Sequence, residues 1–177
     1  MKPNRFMLAL AALCFAAGGA SAQQTDGKSV APKTYKAYMV SDAHLDTQWN
    51  WDVQTTIREY IPRTLFQNLY LMERFPDYRF SFEGGVVYSW MKEYYPMHYE
   101  RMKKYIASGQ WHIAGASWDA NDPNMPSAES FFRNILLGQE FYKKEFGVRS
   151  TDIFLPDCFG FGYTPVSYTH LTLPTIL

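Results

Sequence analysis

Four short β-rich runs alternate with three longer helical stretches, and this alternation limits the fold more than any other feature of the sequence. The pattern predicts strands over residues 37–41, 78–83, 111–115 and 152–155. It predicts helices over residues 53–74, 86–108 and 127–146, the last with Ser127 as its N-cap and Gly147 as its C-cap. Such alternation is typical of βαβ units, whose crossover connections make a sheet parallel. We therefore predict an α/β fold with its functional residues at the carboxyl ends of the strands.

The amino-terminal residues have the pattern of a secretory signal peptide. Lys2 and Arg5 precede an apolar run of about a dozen residues, and Ala20-Ser21-Ala22 matches a cleavage site before Gln23. The run is shorter than the roughly 20 residues that span a bilayer, so no membrane span is predicted. We expect residues 1–22 to be removed, residues 23–34 to form a flexible leader, and the protein to be exported to the periplasm or the cell exterior.

The length of the chain and its balance of charge limit the fold and the class of partner further. About 155 residues remain after cleavage, fewer than the roughly 200 to 250 of a complete barrel, so we expect an incomplete parallel (β/α) barrel. The 17 Lys and Arg balance the 17 Asp and Glu, which argues against a nucleic-acid partner. Aromatic residues make up 18% of the chain, which suits core packing and also a cleft that stacks on sugar rings.

Acidic and imidazole side chains follow the first and fourth predicted strands. His44 and Asp46 are two residues apart, so they lie on one side of an extended segment and form a plausible half of a zinc site. Asp157 follows an apolar run and precedes glycines, a context that directs a carboxylate into a cleft. Considered without the rest of the sequence, a His-x-Asp triplet is common by chance, and an Asp at the position of Asp157 also favours a turn.

These residues belong to four blocks that resemble one known family. The blocks are residues 44–49, Trp118 with residues 122–130, Gly138-Gln139, and residues 155–160. Their order and approximate spacing are similar to those of the glycoside hydrolase family 38 α-mannosidases. The resemblance covers residues 35–164, which would be the amino-terminal part of the α-mannosidase catalytic domain.

The resemblance implies a chemistry for each matched position. His44, Asp46 and Asp157 match the family's zinc ligands, and Asp157 also matches its catalytic nucleophile. The implied reaction is retaining hydrolysis of terminal α-mannose from glycans through a covalent mannosyl-enzyme intermediate. The family's zinc orients the sugar and does not activate water. A general acid and a fourth zinc ligand, a His, are expected beyond Thr164 and are not matched in this chain.

Several other polar and aromatic residues are candidates for binding the sugar. Asp119 and Asp122 lie on the loop after the third predicted strand, where they would bind sugar hydroxyls or form a turn before Pro123. Trp49 is expected to line the pocket. Family members usually carry a Glu where this chain has Ala120. His98 and His112 fall outside the matched blocks and are expected to be structural.

The resemblance to the family 38 sequence pattern weakens after Thr164. Residues 165–177 show no helical period and are expected to be an atypical, foreign or frameshifted tail. We expect this chain alone to be an inactive fragment. Two alternatives remain open, a non-catalytic sugar-binding fragment and a metal-dependent carbohydrate deacetylase. The linkage preference, the native metal and the oligomeric state are open as well.

Overall fold

Three parallel strands form the sheet, and the order of the strands in the sheet follows their order in the chain. The structure is a computed structural model that describes residues 35–158. The strands are β1 (Ser41–Ala43), β2 (Phe80–Phe82) and β3 (Trp111–Ile113). Ser41 pairs with Phe80, and Phe80 pairs with Trp111. The predicted α/β fold with a parallel sheet is confirmed, and the sheet is open within the described residues.

Helices connect the strands and follow the last one. They are α1 (Val53–Thr55), a π-helical turn (Thr56–Tyr60), α2 (Ile61–Arg74), α3 (Gly85–Tyr94), α4 (Pro96–Ser108) and α5 (Ala128–Phe146). The stretch 86–108, predicted as one helix, is two helices because Pro96 has no N–H and begins a new helix. The chain divides into units 1–37 and 38–177, and all of these helices and strands belong to the second unit.

The longest helix, α5, begins and ends where local sequence predicts. The Ser127 hydroxyl accepts a hydrogen bond from the Ser130 N–H at 3.2 Å, as an N-cap does. Gly147 adopts a φ of +71° and ends the helix, a left-handed conformation that glycine adopts without steric cost. On the predicted apolar face, Phe131 and Tyr142 are buried.

β2 and β3 are shorter than predicted, and the first and fourth predicted strands differ more from the structure. The first was predicted over residues 37–41, but β1 begins at Ser41 because its partner β2 begins at Phe80, so earlier residues lie beyond the end of the sheet. Met39 is 93% exposed. The fourth was predicted over residues 152–155, and this prediction is wrong within the described part of the chain. There the Asp152 carboxylate, rather than a strand backbone, accepts the N–H of Gly115 at 3.2 Å.

The core lies between the sheet and the helices. Alternate residues of β2 and β3 contribute Phe80, Phe82, Trp111 and Ile113, all buried. Tyr88 of α3 lies in this core and hydrogen-bonds to residues of β2 and β3. Its hydroxyl donates to the Phe82 carbonyl at 2.9 Å and accepts from the Trp111 indole N–H at 2.8 Å. This packing holds the carboxyl ends of the strands at one edge of the sheet.

Several predicted segments lie outside the described residues. They are the signal peptide 1–22, the leader 23–34 and the tail 165–177. Among residues 35–158, no helix is long and apolar enough to cross a membrane.

Candidate metal centre

Three side chains that the sequence singled out meet at the carboxyl edge of the sheet. His44 and Asp46 follow β1 directly, and Asp157 lies in the segment that follows α5. One ligand atom from each of the three lies within 4.8 Å of the others. His44 and Asp46 are partly buried and Asp157 is exposed. The three residues therefore form a cluster that a small ligand reaches from solvent.

The donor set and its spacing suit a transition-metal ion. The Nε2 of His44 lies 3.3 Å from the Oδ1 of Asp46. Two ligands that are each about 2.0 Å from a tetrahedral zinc ion are about 3.3 Å apart, so this pair is already at a ligating separation. One imidazole nitrogen and two carboxylates fit zinc and leave a further coordination position, as catalytic sites do. The carboxylate of Asp157 would complete the three-residue set.

Glu83 is a site residue that sequence analysis missed. It follows β2 directly, and its Oε1 lies 3.3 Å from the Nδ1 of His44. Glu83 is only 5% exposed, and burial raises the pKa of its carboxyl to about 7, although the hydrogen bond and the charge of His44 act to lower it. The available signal was a carboxylate directly after a buried strand, the same signal that singled out Asp157.

The loop after β3 brings Asp122 to the cluster. A cleft of about 130 Å³ is lined by His44, Asp46, Glu83, Ala120, Asn121, Asp122, Phe154, Pro156, Asp157 and Cys158. Asp119 lies beside this cleft, where its Oδ2 accepts from the Thr47 hydroxyl at 3.3 Å and its Oδ1 accepts from the Ala120 N–H at 2.8 Å. Of the two predicted sugar-binding aspartates, Asp122 therefore lines the cleft and Asp119 supports its wall. Ala120 lines the cleft as well.

The segment that carries Asp157 is held by contacts with α5 and with the end of β3. The Gln139 side chain donates to the Ser150 carbonyl at 2.6 Å and accepts from the Ser150 N–H at 3.2 Å. Gly115, with a φ of +67°, lies against Phe154, since a Cβ on this glycine would be 3.3 Å from the Phe154 Cβ. These contacts place residues 150–158 along the cleft without a fourth strand.

The remaining aromatic and imidazole candidates lie elsewhere. Trp49 is 68% exposed, packs edge-on against Trp51, and is not among the cleft residues. His98 packs on the ring of Phe66, and His112 lies 3.2 Å from Asp152 on an exposed face. Neither histidine reaches the metal cluster, which agrees with their predicted structural role.

Cys158, the one cysteine in the described part of the chain, is a free thiol at the cleft. Its Sγ donates to the Asn121 carbonyl at 3.4 Å. Partial burial raises the pKa of the thiol, and the nearby carboxylate of Asp122 raises it further. A raised pKa keeps the free thiol protonated at neutral pH, which lowers its reactivity as a nucleophile.

Sequence comparison finds a family and several known proteins that are similar to this chain. The sequence model of the Glycosyl hydrolases family 38 N-terminal domain matches residues 34–170. The chain is 38% identical to Alpha-mannosidase G of Dictyostelium discoideum over 126 residues, which are 71% of this chain and 12% of that protein. It is 33% identical to human Alpha-mannosidase 2C1 over 147 residues, which are 83% of this chain and 14% of that protein.

A solved structure shows the same fold. An α-mannosidase from Enterococcus faecalis superposes with a TM-score of 0.65 at 27% identity, over 76% of this chain and 15% of that one.

The chain spans about an eighth of the length of the two curated relatives, Alpha-mannosidase G and Alpha-mannosidase 2C1. The cleft residues His44, Asp46 and Asp157 all lie inside the matched range.

Proposed function

Because the chain belongs to glycoside hydrolase family 38, we propose that it supplies the zinc site and the nucleophile of a retaining α-mannosidase. The observation that carries this proposal is the convergence of His44, Asp46 and Asp157, whose ligand atoms lie within 4.8 Å of one another. The relatives that span this region are named α-mannosidases. The proposed substrate class is therefore a glycan with terminal α-mannose.

In this proposal His44, Asp46 and Asp157 hold the zinc ion. Bound zinc would bind sugar hydroxyls and orient the ring, and its positive charge would keep Asp157 ionised. Asp122 lines the same cleft and is positioned to accept hydrogen bonds from sugar hydroxyls. The exposure of Asp157 lets a sugar approach its carboxylate directly.

The proposed reaction has two steps on Asp157. Its carboxylate oxygen attacks the anomeric carbon, the glycosidic C–O bond breaks, and a general acid gives a proton to the departing oxygen. In the second step the same group, now deprotonated, takes a proton from a water molecule as that water attacks the anomeric carbon of the glycosyl ester; the ester C–O bond breaks, mannose leaves with retained configuration, and the Asp157 carboxylate and the general acid are restored. The family resemblance assigns the general acid and a fourth ligand to positions beyond Thr164. We therefore propose that the 177-residue chain alone binds metal without turnover.

The metal site is tested on the 177-residue chain by calorimetric titration with zinc, cobalt and manganese. We expect binding that is lost in Asp157→Asn and kept in Asp77→Asn, an exposed aspartate outside the cleft. Equal affinities for the wild type and Asp157→Asn would contradict the assignment of Asp157 as a ligand. The titrations also rank the three ions by their affinity for the site.

The activity is tested on the full-length gene product with an aryl α-mannoside before and after chelation. We expect hydrolysis that stops on chelation, returns with zinc, and is absent in Asp157→Asn. Undiminished hydrolysis without metal would contradict the zinc role. Mannose binding without any hydrolysis would instead support a non-catalytic sugar-binding function.

We also propose export, on the basis of the signal-like residues 1–22. Sequencing the amino terminus of the mature protein tests this proposal. We expect it to begin at Gln23, and a mature protein that begins at Met1 and stays inside the cell would contradict it.

A further inference from the structure

Glu83 and Asp46 lie on opposite sides of the His44 ring. On one side, Nε2 lies 3.3 Å from Asp46 Oδ1, at the cluster that Asp157 completes. On the other side, Nδ1 lies 3.3 Å from Glu83 Oε1. The imidazole is thus held between an outer carboxylate that is 38% exposed at its side chain and an inner one that is 5% exposed.

The inner carboxylate, that of Glu83, is buried, and burial of an acidic side chain costs free energy of folding. Its second oxygen, Oε2, is enclosed and makes no hydrogen bond among residues 35–158. A Cβ on Gly115 would lie 3.5 Å from this oxygen, an ordinary van der Waals distance, so Oε2 lies against the loop that follows β3. A buried carboxylate with one unsatisfied oxygen destabilises a fold, and such costly groups are concentrated at functional sites. The only hydrogen-bond partner of the Glu83 side chain in the described residues is His44.

A neutral imidazole that binds a metal through Nε2 must carry its proton on Nδ1. The hydrogen bond that the other nitrogen makes decides which of the two tautomers is present. A carboxylate beside Nδ1 accepts that proton, and the interaction is stronger at the buried Glu83 than at the more exposed Asp46 because water screens it less.

We propose that Glu83 is a positioning residue that accepts the Nδ1–H of His44 and thereby presents Nε2 to the metal. This inference deepens the proposed zinc site and rests on it for the metal, but the effect of Glu83 on the His44 tautomer does not depend on metal. The hydrogen bond at Nδ1 also restricts rotation of the ring about its Cβ–Cγ bond and so orients the imidazole.

The test uses Glu83→Gln and Glu83→Ala in the 177-residue chain, with Glu145→Gln as the matched control. Glu145 is another largely enclosed carboxylate, 10% exposed at its side chain, that pairs with Lys92 away from the cleft. Glutamine keeps the volume of Glu83, so Glu83→Gln remains informative where Glu83→Ala fails to fold. Circular dichroism establishes which variants are folded.

The first readout is zinc affinity by competition with a chromophoric chelator. We expect a loss of about 10- to 100-fold for Glu83→Ala, a smaller loss for Glu83→Gln, and no change for Glu145→Gln. Glutamine is a neutral acceptor, and its amide group also donates to Nδ1, which favours the wrong tautomer. Unchanged zinc affinity in a folded Glu83→Gln protein would overturn the proposal.

The second readout is the tautomer of His44 in metal-free protein at pH 8, from the ¹⁵N chemical shifts of its ring. We expect the Nδ1–H form in the wild type and a shift toward the Nε2–H form in Glu83→Gln. The same tautomer in both proteins would also overturn the proposal. If the wild type binds no metal but the tautomer of His44 still depends on Glu83, the zinc site is rejected and the positioning role of Glu83 is retained.

Discussion

The side-chain amide of Asn134 pairs with both backbone groups of Asp119. Its Oδ1 accepts from the Asp119 N–H at 2.9 Å, and its Nδ2 donates to the Asp119 carbonyl at 2.9 Å. Five residues later on the same helix, Gln139 pairs with Ser150 in the same way. One helix, α5, therefore holds both loops that reach the candidate metal centre, the loop after β3 and the segment that carries Asp157.

Replacing Asn134 tests the first of these contacts. We expect Asn134→Ala to lower the free energy of unfolding by about 2 kcal/mol, because two hydrogen bonds to partly buried backbone groups are lost. Urea denaturation measures this change. The control is Arg133→Ala on the exposed side of the helix, for which we expect a change within about 0.5 kcal/mol. Equal effects of the two substitutions would show that Asn134 does not hold the loop.

Replacing Gln139 tests the second contact and its link to the metal. We expect Gln139→Ala to weaken zinc binding several-fold, because the segment leading to Asp157 loses two hydrogen bonds that fix its path. Calorimetric titration measures the affinity, and the exposed neighbour Glu140→Ala is the control. A Gln139→Ala protein that is less stable but binds zinc as tightly as the wild type would limit Gln139 to a structural role.

Gly138 lies where α5 approaches the loop after β3 most closely. A Cβ at this position would be 2.3 Å from the Ala116 carbonyl oxygen, and backbone atoms cannot yield as a flexible side chain does. We expect Gly138→Ala to destabilise the protein by about 2 kcal/mol or more, despite the roughly 1 kcal/mol that alanine's helix propensity contributes. Thermal unfolding measures the effect against Leu137→Ala, an exposed position on the same helix. A more stable Gly138→Ala protein would contradict the close approach.

The ion pair between Lys92 and Glu145 joins α3 to α5 and predicts a dependence on pH. Lys92 Nζ lies 2.7 Å from Glu145 Oε1. Burial acts to raise the pKa of the Glu145 carboxyl, but the hydrogen bond and charge of Lys92 outweigh it, so the pKa is lowered. A carboxyl whose pKa is lowered on folding stabilises the protein above its unfolded pKa, and this stabilisation is lost as the pH falls through the folded value.

We therefore expect Lys92→Met to destabilise the protein by about 1 kcal/mol at pH 7, a modest value because water screens the half-exposed Lys92. The difference from the wild type should shrink as the pH falls below about 4.3, the unfolded pKa of a glutamate, and passes through the lower pKa of the folded carboxyl. Urea denaturation at pH 7 and pH 3.5 measures it, with the exposed Lys104→Met as the control. A difference that is the same at both pH values would exclude the ion pair as its cause.

Local patterns in the sequence determined the order of elements and the ends of α5. Side-chain periodicity and capping act over one or two turns, so Ser127 and Gly147 were predicted at their observed places. The two-residue spacing of His44 and Asp46 likewise placed both on one side of the chain. The strand predicted over residues 152–155 was wrong because a side chain, Asp152, replaced the backbone pairing that periodicity assumes.

The tertiary structure alone decided which distant residues complete the site. Glu83 reaches His44 across 39 residues because β1 and β2 are parallel neighbours whose register aligns their carboxyl ends. Asn134 and Gln139 hold the site loops because Gly138, between them, lets α5 approach the backbone after β3. Such partners depend on register and packing, which join residues far apart in the chain, whereas the candidate metal ligands were identified from local sequence, as polar residues that follow short apolar runs.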